Sequence, residues 1–166
     1  MIVANGKRTR AMAALICAMA TPCVTWYEGY VPHSYADPVG ITTACYGATG
    51  VDVQTGKTYT KDQCDKLLDA GLKQALAEVD RCIGVGISPP QAAALVSFTY
   101  NVGGNALCTS TLARLANEGA SPDVWCAQML RWKYSTKFGV KIELPGLVKR
   151  RNSEFHMCLG QDWQQH

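Results

Sequence analysis

The eight cysteines of this chain lack any C-x-x-C pair, and only three histidines accompany them. Structural zinc sites are built from clustered Cys and His ligands, so this spacing argues against a zinc site. An even number of dispersed cysteines is instead typical of disulfides in an oxidising compartment. Eight cysteines allow about a hundred pairings, so spacing alone leaves the connectivity open. Nothing in the sequence indicates a metal or a cofactor.

Charge is also scarce: charged residues make up 17% of the chain, and the net charge is +3. A nucleic-acid-binding domain usually carries a clustered basic stripe. Here Lys and Arg are scattered, apart from the cluster Lys149, Arg150 and Arg151, so we expect no nucleic-acid partner. With 48% hydrophobic residues, the 166-residue chain is able to bury a core, and we expect a monomer of one domain or two small lobes.

No apolar run reaches the length of about 20 residues that a membrane-spanning helix comfortably needs. A basic segment at residues 7–10 is nevertheless followed by an apolar run over 11–24. This order is typical of a secretory signal, and Ala18-Met19-Ala20 resembles a cleavage site. The alternative is that the run forms the first helix of the folded protein. We expect residues 1–25 to be a signal or anchor segment and 26–166 to be the folded domain.

Strands are predicted only near the N-terminal end. Turn signals and short β-prone segments over residues 30–60 indicate a small antiparallel sheet. Thr60 and Gln63 form a capping box, and leucines then recur at helical spacing, which predicts a helix over 61–82. Ser88 and Gln91 form a second capping box, which opens a predicted helix over 88–102, and further helices are predicted over 109–118, 121–132 and 146–159.

This order favours an α+β fold rather than alternating βαβ units. A β lobe over about 30–60 would be joined by the helix 61–82 to a larger helical lobe over about 88–160. A cleft between two such lobes suits a polymeric substrate.

Two carboxylates and a hydroxyl occur together just after the apolar run. Glu28, Asp37 and Thr43 are separated by eight and five residues. Glu28 is predicted to end the first helix, Asp37 to lie at a turn and Thr43 on the sheet. Cleavage of a glycosidic bond needs one carboxyl to protonate the leaving oxygen and a second group to activate water or attack the sugar. In isolation, however, two such acids are commonly solvated surface charges.

The surrounding sequence resembles the phage-type lysozymes of glycoside hydrolase family twenty-four, which include many phage endolysins. The E-x8-D-x5-T motif of that family is matched at Glu28, Asp37 and Thr43. Residues 94–103 are similar to its central helix, which ends in Asn-x-Gly, and residues 144–154 to its final G-L-x-x-R-R-x-x-E segment. The resemblance covers about residues 26–160.

The resemblance implies a lysozyme-like fold and a muramidase for phage host lysis. The substrate would be peptidoglycan, at the β-1,4 bond between N-acetylmuramic acid and N-acetylglucosamine. Glu28 would be the general acid, Asp37 and Thr43 would activate water, and the anomeric configuration would invert. Many relatives carry His five residues after this Thr, where this chain has Ala48. We interpret His33 as a surface residue.

Four residues are candidates for contacts with the substrate: Tyr30, Tyr35, Tyr46 and Asn101. For Asn101 the alternative is that it simply terminates a helix. Arg150, Arg151 and Glu154 are interpreted as structural ion pairs at i, i+3 and i, i+4 spacing. Trp125 and Trp132, seven residues apart, are interpreted as core residues rather than sugar platforms.

Two disulfides are predicted, Cys45–Cys64 within the small lobe and Cys108–Cys126 between successive short helices. The Ala-rich segment 11–27 resembles the signal-arrest-release segments of some endolysins, which hold an inactive enzyme at the membrane. We therefore expect transient association with the inner membrane and export to the periplasm, with the anchor close enough to Glu28 to disturb it.

Two rival functions remain open. A lytic transglycosylase acts on the same bond and needs chiefly one Glu, so Asp37 and Thr43 at the family spacing argue against it. A non-catalytic, cationic wall-binding protein would not need the acidic motif at all.

Overall fold

The computed structural model describes residues 8–37, 40–137 and 139–165. Residues 1–7 of the predicted signal segment lie outside this part, as do Pro38 and Val39 between the two catalytic candidates of the β lobe. The first helix, α1, is Arg10–Glu28, and Thr9 caps it by accepting a hydrogen bond from the backbone of Met12 at 3.2 Å. Because α1 is continuous across residues 25 and 26, the predicted segment boundary lies inside one helix.

α1 has two apolar faces. The buried face packs into the core and consists of Ile16, Cys17, Ala20, Cys23 and Val24. The opposite face is exposed to solvent and includes Ala11, Leu15, Ala18, Pro22 and Trp26. Both sets recur every three or four residues, the spacing that places side chains on one side of a helix.

The small lobe is a three-stranded antiparallel sheet in the order β1-β2-β3. Its strands are β1 Val31–Ala36, β2 Thr42–Cys45 and β3 Ala48–Thr49. Thr43 pairs with Tyr35 on one side and with Thr49 on the other, so it occupies the central strand. The prediction of a small antiparallel sheet in this region is confirmed.

Two capping boxes open the long helices, as predicted. α2 is Lys61–Cys82, where Thr60 and Gln63 satisfy each other's backbone donors. α3 is Pro89–Val102, capped in the same way by Ser88 and Gln91. Every residue of α3 from Ala92 to Thr99 is buried, because α1, α2 and the helix Pro145–Cys158 surround it. This helix is the centre of the larger lobe.

The remaining helices are shorter than predicted at several points. They are α4 Gly104–Cys108, α5 Thr111–Asn117, α6 Pro122–Cys126, a 3-10 helix Ala127–Arg131, α7 Pro145–Cys158 and a final 3-10 helix Trp163–Gln165. Gly104 begins α4, a short helix that was not predicted. The predicted helix over 121–132 divides after Cys126, where the backbone tightens into the 3-10 helix.

A β-hairpin of β4 Tyr134–Lys137 and β5 Val140–Glu143 precedes α7 and was not predicted. Its signals are present in the sequence: Val140 and Ile142 alternate with Lys141 and Glu143, and Gly139 adopts a φ of +77° between the strands.

Three disulfides are formed among the described residues. Cys45–Cys64 joins β2 to α2, as predicted. The prediction of Cys108–Cys126 is wrong: Cys108 bonds Cys82, and Cys126 bonds Cys158. The prediction paired cysteines that lie on successive helices in the sequence. The bonds instead join cysteines that are close in the fold, between α2 and α4 and between α6 and α7. Cys17 and Cys23 of α1 are free thiols and are buried.

Trp125 and Trp132 both contribute to the interior of the larger lobe. Trp125 is buried, and Trp132 meets Phe98 edge-on with ring centroids 5.4 Å apart. Core packing, rather than a sugar platform, accounts for both.

Candidate active site

Glu28 is the last residue of α1, as predicted, and its carboxylate lies where the two lobes meet. Its side chain is 19% exposed, so it is accessible yet held in place. Oε1 accepts a hydrogen bond from Arg150 Nη1 of α7 at 2.5 Å. Gly29 ends the helix with a φ of +72°, which redirects the chain into β1. Glu28 is therefore fixed from the helical lobe.

The turn between β2 and β3 approaches Glu28 from the other lobe. Gly47 in this turn leaves no room for a side chain, since a β carbon there would lie 2.7 Å from Glu28 Oε2. The hydroxyl of Tyr100 on α3 donates to the carbonyl of Tyr46 at 2.7 Å and ties the same turn to the helical lobe. Burial and the nearby negative charge of Glu28 raise the pKa of Tyr100, so its hydroxyl stays protonated at neutral pH.

Asp37 and Thr43 share one anchor, the backbone of Ile41. Asp37 follows β1 and accepts from the Ile41 amide through Oδ1 at 2.8 Å. Thr43 donates its hydroxyl proton to the Ile41 carbonyl at 3.1 Å and is buried in β2. Because the hydroxyl proton of Thr43 points to this carbonyl, the hydroxyl oxygen can accept a hydrogen bond from another group. Asp37 is half-buried. Both groups therefore belong to the β1–β2 hairpin, whereas Glu28 ends α1.

A cleft of about 330 Å³ lies between the β lobe and helices α2 and α3, and Glu28, Asp37 and Thr43 are not among its lining residues. It is lined from the β lobe by Gly47, Ala48 and Asp52, and from α2 and α3 by Gln74, Glu78 and Tyr100. Ala48, where many relatives carry His, thus contributes a small side chain to the wall of the cleft. Gly47 and Tyr100 connect the cleft to Glu28.

The four predicted substrate contacts differ in accessibility. Tyr30 and Tyr35 are each 44% exposed, whereas Tyr46 is buried and packs against Tyr30 with ring centroids 5.5 Å apart. Asn101 is exposed, and its side-chain oxygen accepts a hydrogen bond from Arg151. His33 is exposed and shares a hydrogen bond with Thr58 at 2.8 Å, in keeping with a surface role.

The predicted ion pairs of the last helix are formed and buried. Glu154 pairs with Arg150 at 3.1 Å and with Arg151 at 2.6 Å. Burial lowers the pKa of Arg150, but the carboxylates of Glu154 and Glu28 outweigh it and leave that pKa raised. The contact between Arg150 and Glu28, 122 residues apart, was not predicted. Gly47 and Tyr100 were not predicted as site residues either, although Tyr100 and Arg150 lie in segments that carry the family resemblance.

A small antiparallel β lobe, a long connecting helix and a helical lobe, with a carboxylate beside the cleft between them, define a lysozyme-like protein. Solved structures of muramidases and endolysins share this fold. The muramidase domain of SpmX from Asticaccaulis excentricus superposes with a TM-score of 0.76 at 28% identity, covering 92% of this chain and 97% of that one. The endolysin from Escherichia coli O157:H7 phage FAHEc1 gives 0.74 at 30% identity, covering 93% and 96%.

Sequence comparison assigns the family. The chain belongs to the phage lysozyme family, whose sequence model matches residues 25–154. Among curated relatives, the SAR-endolysin of Bacteriophage PS119 is 41% identical over 132 residues, which are 80% of this chain and 76% of the relative. The protein is accordingly a glycoside hydrolase that hydrolyses peptidoglycan in phage lysis.

Proposed function

We propose that Glu28 is the general acid for cleavage of the β-1,4 bond between N-acetylmuramic acid and N-acetylglucosamine. The observation that carries this proposal is the position of Glu28, at the end of α1 and against the cleft-lining turn, with Arg150 behind it and Gly47 in front. The Glu28 carboxyl is held in one orientation and is still 19% exposed. It can therefore meet a glycosidic oxygen without first having to be oriented.

Asp37 and Thr43 act on the water in this proposal. Both are tied to Ile41 on the β hairpin, whereas Glu28 is held from the helical lobe, and the proposal places them on the opposite face of the sugar. Glu28 gives its proton to the leaving oxygen as the glycosidic bond breaks. Asp37 takes a proton from the water, whose oxygen forms the new bond to the anomeric carbon from the opposite face. Thr43 accepts a hydrogen bond from that water, and the anomeric configuration inverts.

Product analysis of purified peptidoglycan tests this reaction against its rivals. Hydrolysis yields a reducing muramic acid end, whereas a lytic transglycosylase yields an anhydro-sugar and a wall-binding protein yields no new ends. Proton NMR recorded before mutarotation distinguishes the anomers. The proposal requires reducing α-anomer as the first product. An anhydro-product contradicts hydrolysis, and β-anomer as the first product contradicts inversion.

We also propose that α1 serves first as a membrane anchor and later as the first helix of the folded enzyme. α1 is long and apolar enough to cross a membrane, a property that signals and core helices share. Its two apolar faces support both uses: in the folded protein one face packs on α3, and the other remains exposed. A groove of about 850 Å³ runs between α1 and α2 and is lined by residues of both helices.

Fractionation of expressing cells tests the anchor. The full-length chain should be found first with the inner membrane and later, at unchanged mass, in the soluble periplasmic fraction. A shortened mature form, with the mass expected for cleavage after residue 20, would show a conventional signal peptide and contradict release of the intact anchor.

A further inference from the structure

Behind Glu28 lies a cluster of charged residues that the reaction itself does not touch. Arg150 and Arg151 on α7 are 3% and 1% exposed, and Glu154, one helical turn further on, is 0% exposed. With Glu28, the cluster contains two cations and two anions. Burying charges is costly unless each charge is paired. We therefore expect a function that accounts for four charged groups at this position.

Glu154 uses both carboxylate oxygens within this cluster. Oε1 accepts from the Ser97 hydroxyl at 2.8 Å and from Arg150 Nε at 3.1 Å. Oε2 accepts from Arg151 Nη1 at 2.6 Å. Ser97 is a buried residue of α3, so Glu154 joins α7 to the central helix.

Two side-chain nitrogens of Arg150 are held by other residues, and the third donates to Glu28. Its Nε donates to Glu154, its Nη2 to the Ser97 carbonyl at 3.2 Å, and its Nη1 to Glu28 at 2.5 Å. A guanidinium is planar and rigid, so two fixed nitrogens determine the direction of the third. The orientation of the donor to Glu28 is therefore set by Glu154 and Ser97.

We infer that Glu154 is a positioning residue for Glu28, acting through Arg150. This inference rests on the proposed role of Glu28 as general acid. Glu154 does two things: it aims Arg150 Nη1 at the Glu28 carboxylate, and its negative charge offsets the second cation, Arg151. Without that charge, two arginines would face Glu28 alone and would favour its ionised form, which donates no proton.

The other titratable groups around the cluster are neutral at working pH. Cys23 and Tyr27 of α1 face Glu154, and Tyr100 of α3 faces Glu28. Burial raises the pKa of Cys23 to about 12, and it also raises the pKa of Tyr27 and of Tyr100. Around neutrality, the charge that Glu28 experiences within the cluster therefore comes from Arg150, Arg151 and Glu154.

The test compares Glu154→Gln with Arg150→Gln on soluble labelled peptidoglycan. Glu154→Gln should lower kcat roughly 10- to 100-fold with KM changed less than about twofold, since an oriented catalytic group is displaced but the substrate contacts remain. The alkaline limb of the profile of kcat/KM against pH should move to lower pH in Glu154→Gln and to higher pH in Arg150→Gln. The two variants remove charges of opposite sign, so the alkaline limb should shift in opposite directions, whereas a general loosening of the fold would not separate them in this way.

Cys23 reports whether α1 stays packed in each variant. Its sulfur lies 3.5 Å from the Ser97 hydroxyl, and the residue is fully buried. Alkylation by iodoacetamide should therefore remain as slow in Glu154→Gln as in the wild type. Glu118→Gln is the matched control, because Glu118 forms an exposed pair with Arg114 at 2.7 Å and should leave kcat and the pH profile unchanged.

Unchanged kcat and an unmoved alkaline limb in Glu154→Gln would overturn the inference. So would a loss of activity that appears only together with rapid alkylation of Cys23, because Glu154 would then be structural. Should Glu154→Gln fail to fold, Ser97→Ala keeps every charge and removes one anchor of Glu154. It should lower kcat roughly threefold without moving the limb, and wild-type kcat would reject the positioning role.

Glu28→Gln, measured alongside, separates the two proposals. If Glu28→Gln is active, the proposed function fails. If Glu28→Gln is inactive while Glu154→Gln behaves as the wild type, only the positioning role fails.

Discussion

Gly47 and Glu28 approach so closely across the two lobes that a methyl group does not fit between them. A β carbon on Gly47 would lie 2.7 Å from Glu28 Oε2 and 3.3 Å from the carboxyl carbon. Gly47 also has a φ of +72°, which L side chains rarely adopt. The glycine thus meets two requirements at once, one of backbone conformation and one of space beside the general acid.

Gly47→Ala should therefore impair catalysis more than it impairs folding. The added carbon displaces the carboxylate, and a displacement of about 1 Å can lower activity roughly 100-fold. The strained φ should cost about 1 kcal/mol of unfolding free energy. Steady-state kinetics on labelled peptidoglycan and urea unfolding measure the two effects separately.

Gly50→Ala is the control for backbone strain. Its φ is +92°, and nothing lies within 4 Å of its added β carbon. We expect it to lose similar stability and to keep activity near the wild-type level. Equal loss of activity in the two variants would mean that strain in the turn, rather than the contact with Glu28, is responsible.

The Cys45–Cys64 disulfide should matter for activity as well as for stability. Cys45 has a φ of +60° between Thr43 and Gly47, so the bond to α2 restrains a strained residue beside the site. Replacing both cysteines by Ala opens a link of sequence separation 19 and should lower the unfolding free energy by about 3 kcal/mol.

Removal of Cys126–Cys158 is the matched comparison, since that link has a sequence separation of 32 and lies in the helical lobe. Its loss should destabilise the protein by a similar amount while the native fraction keeps its kcat. If both double variants show the same kcat per folded molecule, the role assigned to the β-lobe disulfide is wrong.

The buried thiol of Cys23 should make stability fall at alkaline pH. Burial raises its pKa from 9.0 to about 12, so above pH 9 the unfolded chain loses a proton that the folded chain retains. Between pH 8 and pH 10 this favours unfolding by about 1.4 kcal/mol. Cys23→Ala lacks this contribution, so its unfolding free energy should fall less over the same interval.

Urea unfolding at the two pH values measures this difference. Cys17, whose pKa burial also raises, is present in both proteins and cancels in the comparison. Parallel losses in wild type and Cys23→Ala would show that the Cys23 thiol is not buried against α3 as described.

The elements with local sequence signals were predicted closely. The capping boxes at Thr60 and Ser88 fixed the starts of α2 and α3, because cap hydrogen bonds depend only on residues within one turn. Glu28 was expected at the end of the first helix and lies there, where Gly29 supplies the positive φ. The family motif then indicated which carboxylates to consider.

Relationships between distant segments were not predictable in the same way. The pairing of Cys82 with Cys108 and of Cys126 with Cys158 depends on how helices pack, which spacing does not encode. The contact of Arg150 with Glu28 likewise joins the last helix to the first. The β4–β5 hairpin was missed because its short alternation lies between two stronger helical signals.

The most direct test of the account is the activity of Glu28→Gln on purified peptidoglycan, followed by turbidity. Glutamine has nearly the same size but cannot donate the proton, so clearing should slow roughly 10²- to 10⁴-fold. Protection of Cys23 from alkylation should match the wild type, because glutamine fills the same space, and Glu118→Gln should clear at the wild-type rate. A folded Glu28→Gln that clears peptidoglycan within about tenfold of the wild-type rate would contradict the assignment of Glu28 as general acid.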